Sequence, residues 1–305
     1  MSDAVLLLAY GGPDSLDDIP AYLLDVRGGR ETPPRLLEQV TERYRQIGGR
    51  TPLTEITRST AARLQDVVGM PVYVGMRHWR PSICQAVTQM AASGVRRCVA
   101  VCMAPQFSEM SVGAYRAKLS EVIHETSSAG RELAVTFVES WHTQPHYLEG
   151  IAANVRETLS RFPAALRDRV LVIFTAHSLP ESVLERCDPY PVQVRETAAL
   201  VAERLGLASA RWTFGFQSAR QDGMPWLGPQ IEVLVPELAQ AGERGLLIAP
   251  IGFVADNMEV LYDLDISVQR IARSAGMRLE RTPMLNDSPA LVNALADVVR
   301  SHSKP

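Results

Sequence analysis

Eight short strand-like runs, separated by stretches whose apolar residues recur at spacings of three and four, constrain this chain more than any other feature. The runs are 4–10, 71–76, 97–104, 133–139, 170–176, 211–217, 245–251 and 278–282, and the helical spacing is plainest over 82–92, 147–162, 192–205 and 231–241. Strands that alternate with amphipathic helices build βα units and parallel sheets, so the fold class is α/β. At 305 residues the chain has room for two lobes of about 150 residues each. Two internal echoes suggest lobes of one plan. Residues 5–14 (VLLLAYGGPD) parallel 170–180 (VLVIFTAHSLP), and 93–105 (SGVRR to MAP) resemble 241–250 (AGERG to IAP), each followed by an acidic residue, Glu109 or Glu259, and later a tyrosine. The expectation is two Rossmann-like lobes, 1–150 and 151–305, each a parallel sheet flanked by helices. The C-terminal helix packs back on the first lobe, and the active-site cleft lies between the two.

Composition removes several classes of function. A hydrophobic content of 46%, a charged content of 21% and a net charge of −3 describe a globular protein with no electrostatic footprint for nucleic acid. The first ten residues lack a basic region and their apolar run is too short for a signal or a spanning helix, which predicts a cytoplasmic protein. Gly11-Gly12-Pro13 does not fit a dinucleotide fingerprint and no phosphate-binding P-loop pattern occurs, so nucleotide use is not expected. Cys84, Cys98, Cys102 and Cys187 form no CxxC pair. Cys98 and Cys102, four apart on one strand, stand about 13 Å from each other, too far for one metal or one disulfide. Buried, reduced thiols are expected.

Chemistry concentrates in two places. The run Val170-Leu-Val-Ile-Phe-Thr-Ala is apolar throughout, as in a strand covered on both faces, and it ends in His177-Ser-Leu-Pro180. Ligands of open α/β sheets gather outside the carboxyl ends of such strands, so His177 either caps the turn or does chemistry there. The second place is the run from Pro250 to Asp265, where a strand ends and a helix begins. Asp256, Glu259 and Asp263, at i, i+3 and i+7, are expected to line one helical face. An imidazole and a carboxylate at neighbouring strand ends suit a borderline divalent ion such as Fe(II), or a pair of proton acceptors. Tyr10, Met76, Trp79, Phe107, Met110, Trp141, Phe216, Trp226 and Met258 fall at or just beyond strand ends, where they line a flat apolar slot or pack in the core.

Four motifs taken together resemble ferrochelatase: Thr175-Ala-His177-Ser-Leu-Pro180, Gly252-Phe-Val-Ala-Asp-Asn-Met-Glu259-Val-Leu-Tyr-Asp263, Pro225-Trp-Leu-Gly-Pro229 and Ile47-Gly-Gly-Arg-Thr51-Pro-Leu53. They occur in the family's order and the likeness runs from Leu6 to about Val299. The resemblance implies a porphyrin held between two Rossmann-like lobes and Fe(II) inserted into it as substrate, in haem biosynthesis. His177 and Glu259 match the family's motif histidine and glutamate, so both are assigned as catalytic and as metal-handling residues, with Asp256 and Asp263 extending Glu259 into an acidic path.

Tyr10 stands where ferrochelatases similar to the coproporphyrin branch carry an axial tyrosine. The same resemblance points to Arg27, Arg43, Tyr44, Thr51 and Tyr115 as contacts of the ring or its propionates. Coproporphyrin III, with four carboxylates, is the expected substrate, and bidentate arginines suit it. Ser267 replaces a further acidic residue that some relatives carry, and no cysteine cluster lies near Pro305, so no iron–sulfur cluster is expected. A monomer with at most peripheral membrane contact completes the expectation. The alternatives are a protoporphyrin IX ferrochelatase, a cobalt chelatase acting on sirohydrochlorin, and a non-catalytic tetrapyrrole carrier.

Overall fold

In the computed structural model, which describes residues 2–127, 133–220 and 223–303, the strands form two four-stranded sheets. The first contains β1 (Ser2–Ala9), β2 (Val72–Met76), β3 (Val95–Cys102) and β4 (Ala134–Val138) in the order β2-β1-β3-β4. The second contains β5 (Leu171–His177), β6 (Trp212–Gln217), β7 (Gly245–Pro250) and β8 (Arg278–Arg281) in the order β6-β5-β7-β8. All pairings are parallel. The two orders are one permutation, with β5 in the place of β1 and β7 in the place of β3. The internal echoes of the sequence fall on these same equivalent strands.

The chain divides into two compact units. The first comprises Met1–Trp141, Ala255–Met258 and Asn286–Pro305, and the second His142–Val254 and Glu259–Leu285. In the first unit the core gathers Leu6, Leu8, Ala100 and Cys102 of the sheet with Ile83, Val87 and Met90 of helix Ile83–Ala92. Ser82 caps that helix, accepting from the Gln85 backbone while the Gln85 side chain accepts from the Ser82 N–H. Helix Pro289–His302 packs on helix Leu53–Val68 in the same unit, where Arg300 donates to the Val67 carbonyl at 3.0 Å. In the second unit Leu171, Ile173, Leu246 and Ile248 meet Ile231 and Val235 of helix Ile231–Gln240 and Val260, Leu264 and Val268 of a π-helical segment, Val260–Val268. No described helix is long and apolar enough to cross a membrane.

This strand order sets where each site falls. In a 2-1-3-4 sheet the chain leaves the first strand in one direction and returns on its other side, so a crevice opens at the carboxyl ends of the first and third strands. For the second sheet those are β5, which ends at His177, and β7, which ends at Pro250 and leads to Glu259. For the first sheet they are β1, followed by Tyr10, and β3, followed by 103–106.

Candidate active site

β5 anchors His177 rigidly. Val172, Ile173, Phe174 and Ala176 are fully buried, each large apolar side chain contributing about 1.5–3 kcal/mol, and the strand is paired on both edges. Beyond the ladder, Ser178 N–H donates to the Gln217 carbonyl at 2.8 Å and the Tyr190 hydroxyl donates to the His177 carbonyl at 2.9 Å. The Ser178 hydroxyl donates to the Leu227 carbonyl at 2.8 Å, and Leu227 N–H to the Leu179 carbonyl, also at 2.8 Å. The sequence motifs around His177 and Trp226 are therefore one paired structure.

The exit of β7 lies directly on β5. Ile251 and Gly252 N–H groups both donate to the Thr175 carbonyl, at 2.7 and 3.3 Å. A Cβ on Gly252 would stand 2.8 Å from the Ala176 Cβ and 3.0 Å from its Cα, closer than side chains pack, so this approach requires glycine. The segment that follows ends at Glu259, whose carboxylate Oε1 lies 3.2 Å from His177 Nε2. Their side chains retain 24% and 33% exposure, open enough for a ligand to reach them.

The other ring nitrogen decides what the pair can do. His177 Nδ1 donates to the Ser178 carbonyl, which can only accept, so Nδ1 carries a hydrogen. Nε2 then either carries a proton and donates to Glu259, or presents its lone pair beside the carboxylate. Burial opposes the imidazolium, but the Glu259 charge and hydrogen bond, the Ser178 carbonyl and the Asp263 charge outweigh it and raise the His177 pKa above its ordinary value. With a metal about 2.1 Å from each atom, a 3.2 Å N···O separation subtends about 100°, a cis angle that divalent ions accept. Among the described residues no group of three or more His, Cys, Asp or Glu side chains is placed to hold a metal. The His177–Glu259 pair by itself supplies one nitrogen and one carboxylate donor.

The carboxylate row differs from its expected form. Asp263 is buried within the π-helical segment, near enough to act on His177. Asp256, however, precedes the helix: its N–H donates to Asn286 Oδ1 at 2.9 Å, and Asn286 Nδ2 donates to its Oδ2 at 2.8 Å. Asp256 clusters with the first unit while Glu259 and Asp263 belong to the second. The three carboxylates therefore do not share one helical face, because the helix begins after Asp256 and then takes i→i+5 bonding.

In the first unit the structure brings most of the predicted ring contacts to the end of β1. Glycines 48 and 49, both at positive φ (96° and 87°), turn the chain after helix Pro34–Gln46 and deliver Thr51 to Gly12. A Cβ on Gly12 would lie 2.2 Å from Thr51 Cγ2 and 3.8 Å from the Tyr44 hydroxyl. The Arg77 guanidinium lies over the Tyr115 ring, 5.6 Å from its centroid. Thr51, Tyr44 and Tyr115 are buried, whereas Tyr10 is 36% exposed. Arg27 caps helix Ile19–Val26 and donates to the Glu31 carbonyl at 3.3 Å, while Arg43 is exposed on the last turn of helix Pro34–Gln46.

Of the aromatic and Met residues at strand ends, Met76, Phe107, Trp141 and Phe216 are core. Trp226 remains half-buried, its ring centroid 6.4 Å from that of His177. Phe253, which the sequence did not single out, stands edge-on to His177 at 6.2 Å. Its position one residue after Gly252 was the available signal. Tyr190 was also missed, since its role rests on a hydrogen bond to a backbone thirteen residues away. Two of the four thiols differ from expectation: Cys84 and Cys187 are exposed, while Cys98 and Cys102 are buried.

Known proteins match this chain along nearly its whole length. The family model described as ferrochelatase matches residues 2–303. The chain is 39% identical to a ferrochelatase of Deinococcus radiodurans over 300 residues, covering 97% of this chain and 94% of that protein. It is 40% identical to a ferrochelatase of Herpetosiphon aurantiacus, with 97% of each chain covered. A coproporphyrin III ferrochelatase of Bacillus subtilis is 37% identical, with 97% and 96% covered. Among solved structures, SirB from Bacillus subtilis with Fe3+ superposes with a TM-score of 0.62 at 12% identity, over 99% of this chain and 96% of that one, a likeness of fold. The chain belongs to the ferrochelatase family, the metal-inserting enzymes of haem biosynthesis.

Proposed function

We propose that this chain inserts Fe(II) into coproporphyrin III and that His177 and Glu259 handle both the metal and the pyrrole protons. The observation that carries this reading is the 3.2 Å pairing of His177 Nε2 with Glu259 Oε1 while Nδ1 is committed to the Ser178 carbonyl. Insertion exchanges one Fe(II) for two pyrrole protons, so the site needs metal donors and proton acceptors in turn. In this reading Fe(II) is first held between Nε2 and the carboxylate, and a proton on Nε2 is released to solvent as the ion binds. As the ion passes to the ring nitrogens, Nε2 and the Glu259 carboxylate become free and each accepts one proton. Asp263, buried behind them, favours protons leaving along the π-helical segment.

Tyr10, Arg27, Arg43, Tyr44, Thr51 and Tyr115 are assigned to the ring and its carboxylates, with Tyr10 as the axial group. Two facts support coproporphyrin III over protoporphyrin IX. Arg27 and Arg43, in the same unit as Tyr10, add cations suited to carboxylates, and relatives from Geobacillus kaustophilus and Bacillus subtilis, 36% and 37% identical, are coproporphyrin III ferrochelatases. The enzyme is taken to work in the cytoplasm as a monomer with at most peripheral membrane contact. Anaerobic initial rates with Fe(II) and each porphyrin test the assignment. Faster metallation of coproporphyrin III is expected; equal or faster metallation of protoporphyrin IX refutes the substrate, and stoichiometric binding without turnover identifies a carrier.

A further inference from the structure

Tyr10 follows β1 as Ser178 follows β5, at equivalent places in two sheets of one strand order. Tyr10 is 36% exposed, so its orientation depends on the contacts it keeps. One neighbour packed against it is His78, on the loop after β2. The His78 backbone N–H donates to the Tyr10 carbonyl at 2.9 Å, and the two rings lie 4.7 Å apart between centroids, tilted by 56°. His78 is held in turn: its Nδ1 bonds to Asp25 Oδ2 at 2.8 Å. Asp25 lies in the last turn of helix Ile19–Val26. Three segments distant in sequence thus converge, and a carboxylate fixes both the tautomer and the plane of an imidazole packed on Tyr10.

The environment supports an orienting contact over an incidental surface pair. The His78 side chain is only 14% exposed, though Asp25 is 58% exposed. The adjacent Arg77 places its guanidinium over the Tyr115 ring, and its backbone N–H is tied to the Ala9 carbonyl at 2.9 Å. We propose that Asp25 and His78 are positioning residues for Tyr10: the carboxylate fixes the imidazole, and the imidazole fixes the tyrosine ring that meets the porphyrin. This rests on the assignment of Tyr10 to the porphyrin made above. Partners of this kind, acting through a ligand residue, are worth about 10–100-fold in metal affinity or activity.

Two readouts decide it in the full-length protein. The first is the set of ring signals of Tyr10 in tyrosine-labelled, porphyrin-free protein, assigned by their loss in Tyr10→Phe. Shifts displaced by the imidazole ring are expected in the wild type and in Asp25→Asn, which keeps an acceptor for Nδ1–H. They are expected to move toward free-tyrosine values in Asp25→Ala and His78→Ala. The second is the phenolate-to-iron absorption band of the complex with ferric coproporphyrin, expected to weaken in the two alanine variants along with a roughly tenfold loss of kcat at little change in porphyrin KM. Wild-type Tyr10 signals in both alanine variants overturn the positioning role. A band that survives in Tyr10→Phe instead refutes the placement of Tyr10 at the iron, and with it the purpose assigned to the pair. Because Asp25 is largely exposed, Asp25→Ala keeps the test independent of folding.

Discussion

Replacing Gly252 with alanine perturbs the spacing of the His177–Glu259 pair without touching either residue. The added Cβ would lie 2.8 Å from the Ala176 Cβ, 3.0 Å from its Cα and 3.3 Å from the His177 nitrogen. Carbon atoms pack at about 3.5–4.0 Å, so the strand exit must retreat by roughly 0.7–1.2 Å. Two of the three obstacles are backbone atoms of β5, buried and paired on both edges, so the retreat falls on the segment leading to Glu259. The 3.2 Å contact then opens to about 4 Å, beyond hydrogen-bond range. Misplacement by about 1 Å costs on the order of 100-fold in rate, and overpacking costs about 1–3 kcal/mol of stability. The assay is kcat/KM for anaerobic Fe(II) insertion, alongside urea unfolding. Gly215→Ala serves as control, because its nearest obstacle is the terminal methyl of Leu234 at 3.2 Å, which can turn aside. Full activity in Gly252→Ala would refute the claim that this approach sets the pair.

Two other outcomes follow from ionisation. Because Glu259 raises the His177 pKa against burial, their interaction stabilises the fold fully below the ordinary histidine value of 6.5 and loses its effect as pH rises through the raised value. Glu259→Gln should therefore unfold at lower urea than wild type near pH 6, with the gap narrowing as pH rises; a gap that widens with pH contradicts the pairing. The same proton competes with metal, so the wild-type insertion rate should climb with pH through that raised pKa, and at a lower pH in Glu259→Gln. Burial pushes the Cys98 thiol up to about 12 and raises Cys102 further, whereas Cys84 and Cys187 are exposed. A thiol reagent near pH 8 should label Cys84 and Cys187 in the native protein and the other two only on unfolding, as mass spectrometry of labelled peptides would read.

Much of the architecture was legible because apolar runs and helical spacing are local signals. β5 reads directly as a doubly covered strand, and the echo of residues 5–14 in 170–180 marks β1 and β5 as equivalents in two sheets of one order. His177 and Glu259 were legible as strand-end residues, but their 3.2 Å contact joins positions 82 apart and depends on Gly252 lying against Ala176. The π-helical course of Val260–Val268 left no mark, since Val-Leu-Tyr-Asp-Leu-Asp suits any helix, and the expectation of three aligned carboxylates failed there. Nor did any pattern tie Asp25 to His78 across 53 positions. Exposure was likewise hidden: Thr51, Tyr44 and Tyr115 are of residue types common on surfaces, yet each is buried by packing set elsewhere in the chain.

His177→Ala removes the imidazole assigned to metallation and leaves the Glu259 carboxylate in place. The measurement is the anaerobic initial rate of Fe(II) insertion into coproporphyrin III, with porphyrin affinity followed separately by fluorescence quenching. Loss of a positioned proton acceptor costs about 100–10,000-fold, so porphyrin binding should stay close to wild type while insertion slows by at least about 100-fold. Insertion at the wild-type rate by a variant that binds porphyrin normally would contradict it.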